Sequence, residues 1–349
     1  MRRNKRKAAP VHNLFQNTKL TRLEIHQHNR TKLLETQLQT LINDHPKDIL
    51  YKATQSGLLE IVRITIDTNN IDPTLLYIAA EHNHLDIVTF LIDNNVNTDQ
   101  PHQHGWTPLH IATQNNHLRI IETLVEHKAN LHKKDNNGWT PLHVSACSNR
   151  PDATRLLLNK QANKDITNHR GQTPLYIAAQ SGHGDVVHQL LEQNANPNKA
   201  DPNGVTPLVI AAMNGHIDAV KLLVDKSNQH QTALFVAAQN GFPNIVELML
   251  NKDVDKDIVI SGSTPLNVAT INGHIDVVRL LAKHRANPNK PDNNGYTPLQ
   301  NAARWKRTRI LNVLKKNQSF DASQQTKGRS RAQCFVHTKT STTGCLSEK

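Results

Sequence analysis

Aromatic residues are scarce in this chain: Phe, Trp and Tyr together supply 4% of its 349 residues. Mean hydropathy is also negative. Both facts argue against one large closed core, which draws much of its buried area from bulky apolar side chains. No run approaches the roughly 20 apolar residues that a membrane-spanning helix requires. The N-terminal MRRNKRKAAP is basic but is followed by no apolar stretch, so a secretory signal is not expected. Cysteine is nearly absent as well. Cys147, Cys334 and Cys345 are odd in number and form no CxxC, which points to free thiols in a reducing compartment and a cytoplasmic location. Cys345 is fifth from the end, where a prenylated cysteine would be fourth. GxGxxG, Walker A, HExxH and GxSxG patterns are all missing, so no catalytic residue, cofactor or small-molecule substrate is expected.

Acidic residues are outnumbered, and the formal net charge is +12. The excess sits at the two ends. Arg2, Arg3, Lys5, Arg6 and Lys7 give +5, the stretch from Arg304 onward gives +9, and residues 8–303 carry −2. A nucleic-acid-binding body would carry its basic face on the fold itself. Nucleic acid is therefore not the expected partner of the central part. Arg2–Lys7 has the form of a nuclear-localisation or acidic-surface patch.

What the chain has in abundance is self-similarity. A T-P-L-x signature starts at Thr107, Thr140, Thr173, Thr206, Thr264 and Thr297, with weaker copies at Thr74 and Thr232. The interval is 33 residues from Thr74 to Thr206, then 26, 32 and 33. A further degenerate copy, DILYKATQSGLLEIV, begins at Asp48, giving about nine units. Thr is a good N-cap and Pro is preorganised for the first helical position, so each TP should open a helix. Pairs such as Ala79-Ala80, Ala178-Ala179, Ala211-Ala212 and Ala237-Ala238 allow close helix approach. Gly57, Gly182, Gly215, Gly241 and Gly273, or Asn83, Asn116 and Asn149, then supply the left-handed residue that ends it. Asp86, Asp185, Asp218 and Asp276 open a second helix, where an acid complements the dipole. That helix carries one apolar stripe, as in Ile87, Val88, Leu91, Ile92 and in Val186, Val187, Leu190, Leu191.

DNNGWTPLHVSACSNR and DPNGVTPLVIAAMNGH resemble the ankyrin-repeat pattern, over roughly residues 46–317. The resemblance implies an all-α ankyrin-repeat solenoid of stacked helix-turn-helix units with β-hairpin fingers. It also implies a non-catalytic scaffold or adaptor that binds one or more proteins through a concave groove. Three regions follow: a basic N-terminal segment with a capping helix (1–45), the repeats (46–317), and a polar tail (318–349) whose composition predicts disorder. The short interval between Thr206 and Thr232 leaves no room for a finger and predicts a notch dividing the binding surface in two. The last unit carries Lys306, Arg307, Arg309, Lys315 and Lys316 and reads as a polar C-terminal cap on a monomeric protein.

Family binding positions are finger residues and the open side of each first helix. Carried onto this sequence, they fall on Gln103, His104, Trp106 and Gln114, then on Asn136, Asn137, Trp139 and Cys147. His169, Arg170, Gln172 and Gln180 follow, then Asn203, Val205 and Met213. Beyond the notch lie Gln239, Ser263, Ile271, Asn293, Asn294, Tyr296 and Arg304. Trp106 and Trp139 on adjacent fingers are candidate anchors, because Trp is enriched at interface hot spots. The alternative role for each is packing on the next finger. His110 and His143 complete TPLH, and the HxH pairs His26/His28, His82/His84 and His102/His104 lack the further ligands a zinc site needs. A Gln-, Asn-, His- and Lys-rich chain with a polar tail also resembles ankyrin-repeat effectors of intracellular bacteria, which would place it in a host cytosol or nucleus. A nuclear or nucleic-acid-associated factor is the third reading, from the basic ends.

Overall fold

The computed structural model describes residues 46–67, 70–252 and 254–316. The expected capping helix within 1–45, the Arg2–Lys7 cluster, the tail 318–349, His26/His28, Cys334 and Cys345 lie outside them. The chain divides into two compact units, one up to Val96 and one from Asn97. In the first unit, helices Pro46–Gln55 and Leu59–Thr65 pair, followed by Thr74–Glu81 with Leu85–Asp93. In the second, the same pairing recurs from Pro108–Gln114 with Leu118–Glu126 through to Pro298–Arg304 with a helix over 308–316.

Local chemistry sets the helix starts. The Thr173, Thr264 and Thr297 hydroxyls accept from the N–H groups of Tyr176, Asn267 and Gln300 at 3.1, 3.2 and 3.3 Å, with Pro in the first turn of each helix. The two weak copies behave differently. Helix His230–Asn240 begins two residues before Thr232, because Ala233 replaces the proline that elsewhere marks the first turn. At Thr74 the proline precedes the threonine, and Asp72 Oδ1 accepts from the Thr74 N–H at 2.9 Å. Gly182, Gly215, Gly241 and Gly273 end their helices at φ between 74° and 86°, and Asn116 and Asn149 take the same left-handed turn at 60° and 53°.

The alanine pairs at 178–179, 211–212 and 237–238 are completely buried, which brings neighbouring first helices together. Val186, Val187 and Leu190 are completely buried on the second helix, as are Ile120, Ile121 and Leu124. Each such side chain contributes about 1.5–3 kcal/mol on leaving water. The core is therefore a thin layer extended from pair to pair.

Polar ties join successive repeats. The residue after the helix-ending turn reaches back to a carbonyl near the end of the preceding first helix. His183 reaches Cys147 O, His216 reaches Gln180 O and His274 reaches Gln239 O, each at 3.0 Å. Arg150 does the same to Gln114 O at 2.8 Å and Arg307 to Ile271 O at 3.3 Å. Arg307, grouped by sequence with the solvent-facing cap, is thus also a framework residue, and Lys306 beside it supplies the left-handed turn at φ 54°. The Phe242 side chain cannot donate, so only the asparagine tie remains there. Asn240 Nδ2 bonds Met213 O at 2.8 Å, as Asn214 and Asn272 bond Gln180 O and Gln239 O beside their histidines at 2.9 and 2.7 Å.

The fingers are hydrogen-bonded turns rather than extended hairpins. Among the described residues the sole isolated bridge is Ile260 with Ser263. Asp135 shows why the turns hold: its Oδ1 accepts from the N–H groups of Asn137 and Trp139 at 2.8 and 2.7 Å while its own N–H donates to Trp139 O at 2.9 Å. Asn168, Asp201 and Asp292 repeat the device. At the shortened interval only residues 225–229 separate Val224 from His230. There the Gln229 side chain accepts from the Thr206 hydroxyl at 3.2 Å, and its Nε2 donates to Gly204 O at 3.4 Å.

Candidate protein-binding surface

The finger tips are tied backbone to backbone. Asn136 N–H donates to His104 O at 3.0 Å and His169 N–H to Asn137 O at 3.1 Å. Pro202, next in this series, has no N–H to give. With main chains held, the side chains of Gln103, His104, Asn136, Asn137, His169, Arg170 and Asn203 are exposed. Asn293, Asn294 and Tyr296 are exposed on the last finger, while Val205, Gln172 and Ser263 are half-buried.

The first-helix positions follow the same division of labour. Gln114, Cys147, Gln180, Met213, Gln239 and Ile271 each give their carbonyl to a side chain of the next repeat. Their own side chains remain partly or fully in solvent. Cys147 is exposed and free, and partial burial pushes its thiol up, so it stays protonated at neutral pH. Arg304 lies over Tyr296, 4.7 Å from the ring centroid, and 5.9 Å from that of Trp305. Burial pushes Asp292 up, but the bonds it accepts from Asn301, Tyr296 and Asn294, with Arg304 nearby, outweigh this and hold its carboxyl below the usual value.

The two candidate anchors are half-buried and are not equivalent. Both rings tilt against the histidine four residues on, Trp106 at 6.0 Å from His110 and Trp139 at 6.1 Å from His143. The Trp106 indole N–H donates to Asp135 Oδ2 at 3.1 Å. Trp139 has no acceptor for its indole N–H among the described residues, and that atom is not among the buried unsatisfied ones. Sequence alone could not separate them, since the distinction depends on a residue 29 positions away.

His110 and His143 are fully buried. Each accepts from the N–H of its capping threonine at 3.2 Å and donates from Nε2 to the next finger, at Trp139 O (3.1 Å) and Gln172 O (3.0 Å). Burial holds both below the usual imidazole value, His143 at about 4. They are neutral struts between a helix start and a finger.

No group of three or more His, Cys, Asp or Glu among the described residues could hold a metal. His84 of the HxH pair 82/84 bonds Gln55 O at 2.9 Å. No described helix is long and apolar enough to cross a membrane.

The family model for ankyrin repeats (3 copies) matches residues 50–135, 128–201, 185–260 and 255–326. The chain belongs to the ankyrin-repeat family. Its members are generally protein–protein interaction modules and typically non-catalytic. No curated protein sequence matches the chain.

Proposed function

We propose that this chain is a non-catalytic, monomeric scaffold or adaptor that binds partner proteins through its finger tips and the open side of its first helices. One observation carries the reading. Along that surface the main chain is occupied by bonds within each finger or to the neighbouring finger, while the side chains of Gln103, His104, Asn136, Asn137, His169 and Arg170 are exposed to solvent. Side chains held in fixed order on an immobile backbone lose little entropy on docking. The expected partner is one or more proteins, met in the cytoplasm.

The test is affinity capture with the wild-type chain beside a variant carrying Asn137→Ala, His169→Ala and Arg170→Ala. Circular dichroism should be unchanged, and proteins captured by the wild type should be lost from the variant. Identical capture by both would place binding elsewhere.

A second reading, a nuclear or nucleic-acid-associated factor, is favoured by the exposed Arg304, Lys306, Arg309, Lys315 and Lys316 of the last helical pair, which also exposes Trp305 to 52%. Binding of a duplex oligonucleotide that weakens steeply with salt would support it. Binding absent at low salt would remove it. Action as a secreted bacterial effector in a host cell would use the same protein-binding surface.

A further inference from the structure

Trp106 and Trp139 occupy the same place on successive fingers and lean on equivalent histidines, His110 and His143, at nearly the same distance. The indole N–H of Trp106 is met by a carboxylate, Asp135, from the following finger. The residue in that position for Trp139 is Asn168. Its Oδ1 already accepts from the N–H groups of Arg170 and Gln172 at 2.9 and 3.0 Å. Its Nδ2 donates to Gln172 Oε1 at 3.0 Å. An amide nitrogen cannot accept, and the oxygen is already taken by two donors, so Asn168 offers the second indole nothing.

Arg170 stands two residues further along that finger, which is joined to the Trp139 finger by the His169 N–H to Asn137 O bond. It is exposed, and only its backbone N–H is bonded among the described residues. The nearby acids are occupied. Asp135 uses both oxygens within the framework, and Asp201 closes its own turn and bonds Tyr176.

We infer that the Trp139–Arg170 finger pair is a docking point for a carboxylate of a partner protein, from an Asp or Glu side chain or a chain terminus. The partner supplies in trans the group that Asp135 supplies to Trp106 within the chain. Arg170 adds the positive charge that makes such a bond short and strong. The inference rests on the protein-binding reading of the fingers.

Random dodecapeptides displayed on phage and selected on the full chain provide the probes, and selected sequences are then synthesised. Each is measured against wild type, Trp139→Phe, Asn168→Asp and Arg170→Gln. Asn168→Asp is decisive, because it places the missing acid within the chain. Asp already closes the equivalent turn at positions 135, 201 and 292, so folding should be preserved. Selected peptides should contain an acid whose change to the amide weakens binding by about tenfold or more, with a similar loss in all three variants. Peptides that bind the fingers but tolerate the amide and Asn168→Asp would overturn the inference and leave the protein-binding reading intact. Failure to select any peptide that the Asn137, His169 and Arg170 changes displace would overturn that reading and this inference with it. A single-stranded oligonucleotide bound with the same dependence on Arg170 and Asn168 would replace the carboxylate by phosphate and also overturn it.

Discussion

His143 Nε2 donates to the carbonyl of Gln172, 29 residues on, at 3.0 Å, while its Nδ1 accepts from the Thr140 N–H. The imidazole is therefore locked in one neutral tautomer. A second proton would have to enter at Nδ1, against a backbone donor and in a fully buried place.

That arrangement makes stability depend on pH. Burial lowers the His143 pKa from 6.5 to about 4, and His110 shifts in the same direction. The unfolded chain takes up the proton first, so stability present above pH 6.5 is lost as pH falls through about 4. For His143 the full loss, complete only below about pH 4, is about 3 kcal/mol. Urea unfolding of wild type and His143→Tyr between pH 7 and 4.5 should give a shallower slope for the variant, since Tyr176 already fills this position one repeat later. Parallel slopes would contradict the assignment.

The two tryptophans should separate in stability. Trp106→Phe keeps the ring against His110 but leaves Asp135 Oδ2 without its indole partner. It should cost about 1–2 kcal/mol. Trp139→Phe removes an N–H that has no acceptor within the described chain, so its unfolding free energy in urea should stay within about 0.5 kcal/mol of wild type. Equal losses would mean that Trp139 also has a structural partner.

This contrast marks how far the sequence could be read. Helix starts, left-handed turns and the apolar stripe are local, and each follows from residues within a few positions. The exceptions are also local in cause, as at Thr232, where the absent proline lets the helix begin at His230. Which exposed-looking side chain is already bonded is set across repeats. Arg307 reads as a surface charge until Ile271 O is found within reach, and Trp106 reads like Trp139 until Asp135 and Asn168 are compared.

Gly182 and Gly204 give a paired test of the stacking contact. Both sit in the left-handed region, at φ 74° and 78°. A Cβ on Gly182 would lie 2.4 Å from His216 Nδ1, whereas one on Gly204 would meet nothing within 4 Å. Both alanine variants carry the backbone strain of about 1 kcal/mol. Gly182→Ala also displaces His216 from Gln180 O, so it should be less stable than Gly204→Ala by about 1 kcal/mol in chemical denaturation. Equal costs would show that the imidazole moves aside without penalty.

The last helical pair buries a polar side chain, Asn301, where its predecessors carry isoleucine or valine. Asn301, 1% exposed, directs Nδ2 at Asp292 Oδ2 (2.8 Å), Asn267 Oδ1 (3.2 Å) and Tyr296 O (3.4 Å). Asn301→Ala leaves Asn267 Oδ1 unpartnered at full burial and should cost about 2–3 kcal/mol. Because a repeat contacts only its neighbours, the damage should be confined to the end of the stack. Amide exchange over 298–316 should accelerate by about 30–150-fold, while helices Pro174–Ser181 and Gly184–Glu192 keep their protection. Asp292 should also titrate closer to an ordinary carboxylate, since it loses the Asn301 bond that helps hold it down. Acceleration spread evenly over all repeats would mean that the terminal pair is not a separate unit of stability, and that the asparagine contact supports the whole array.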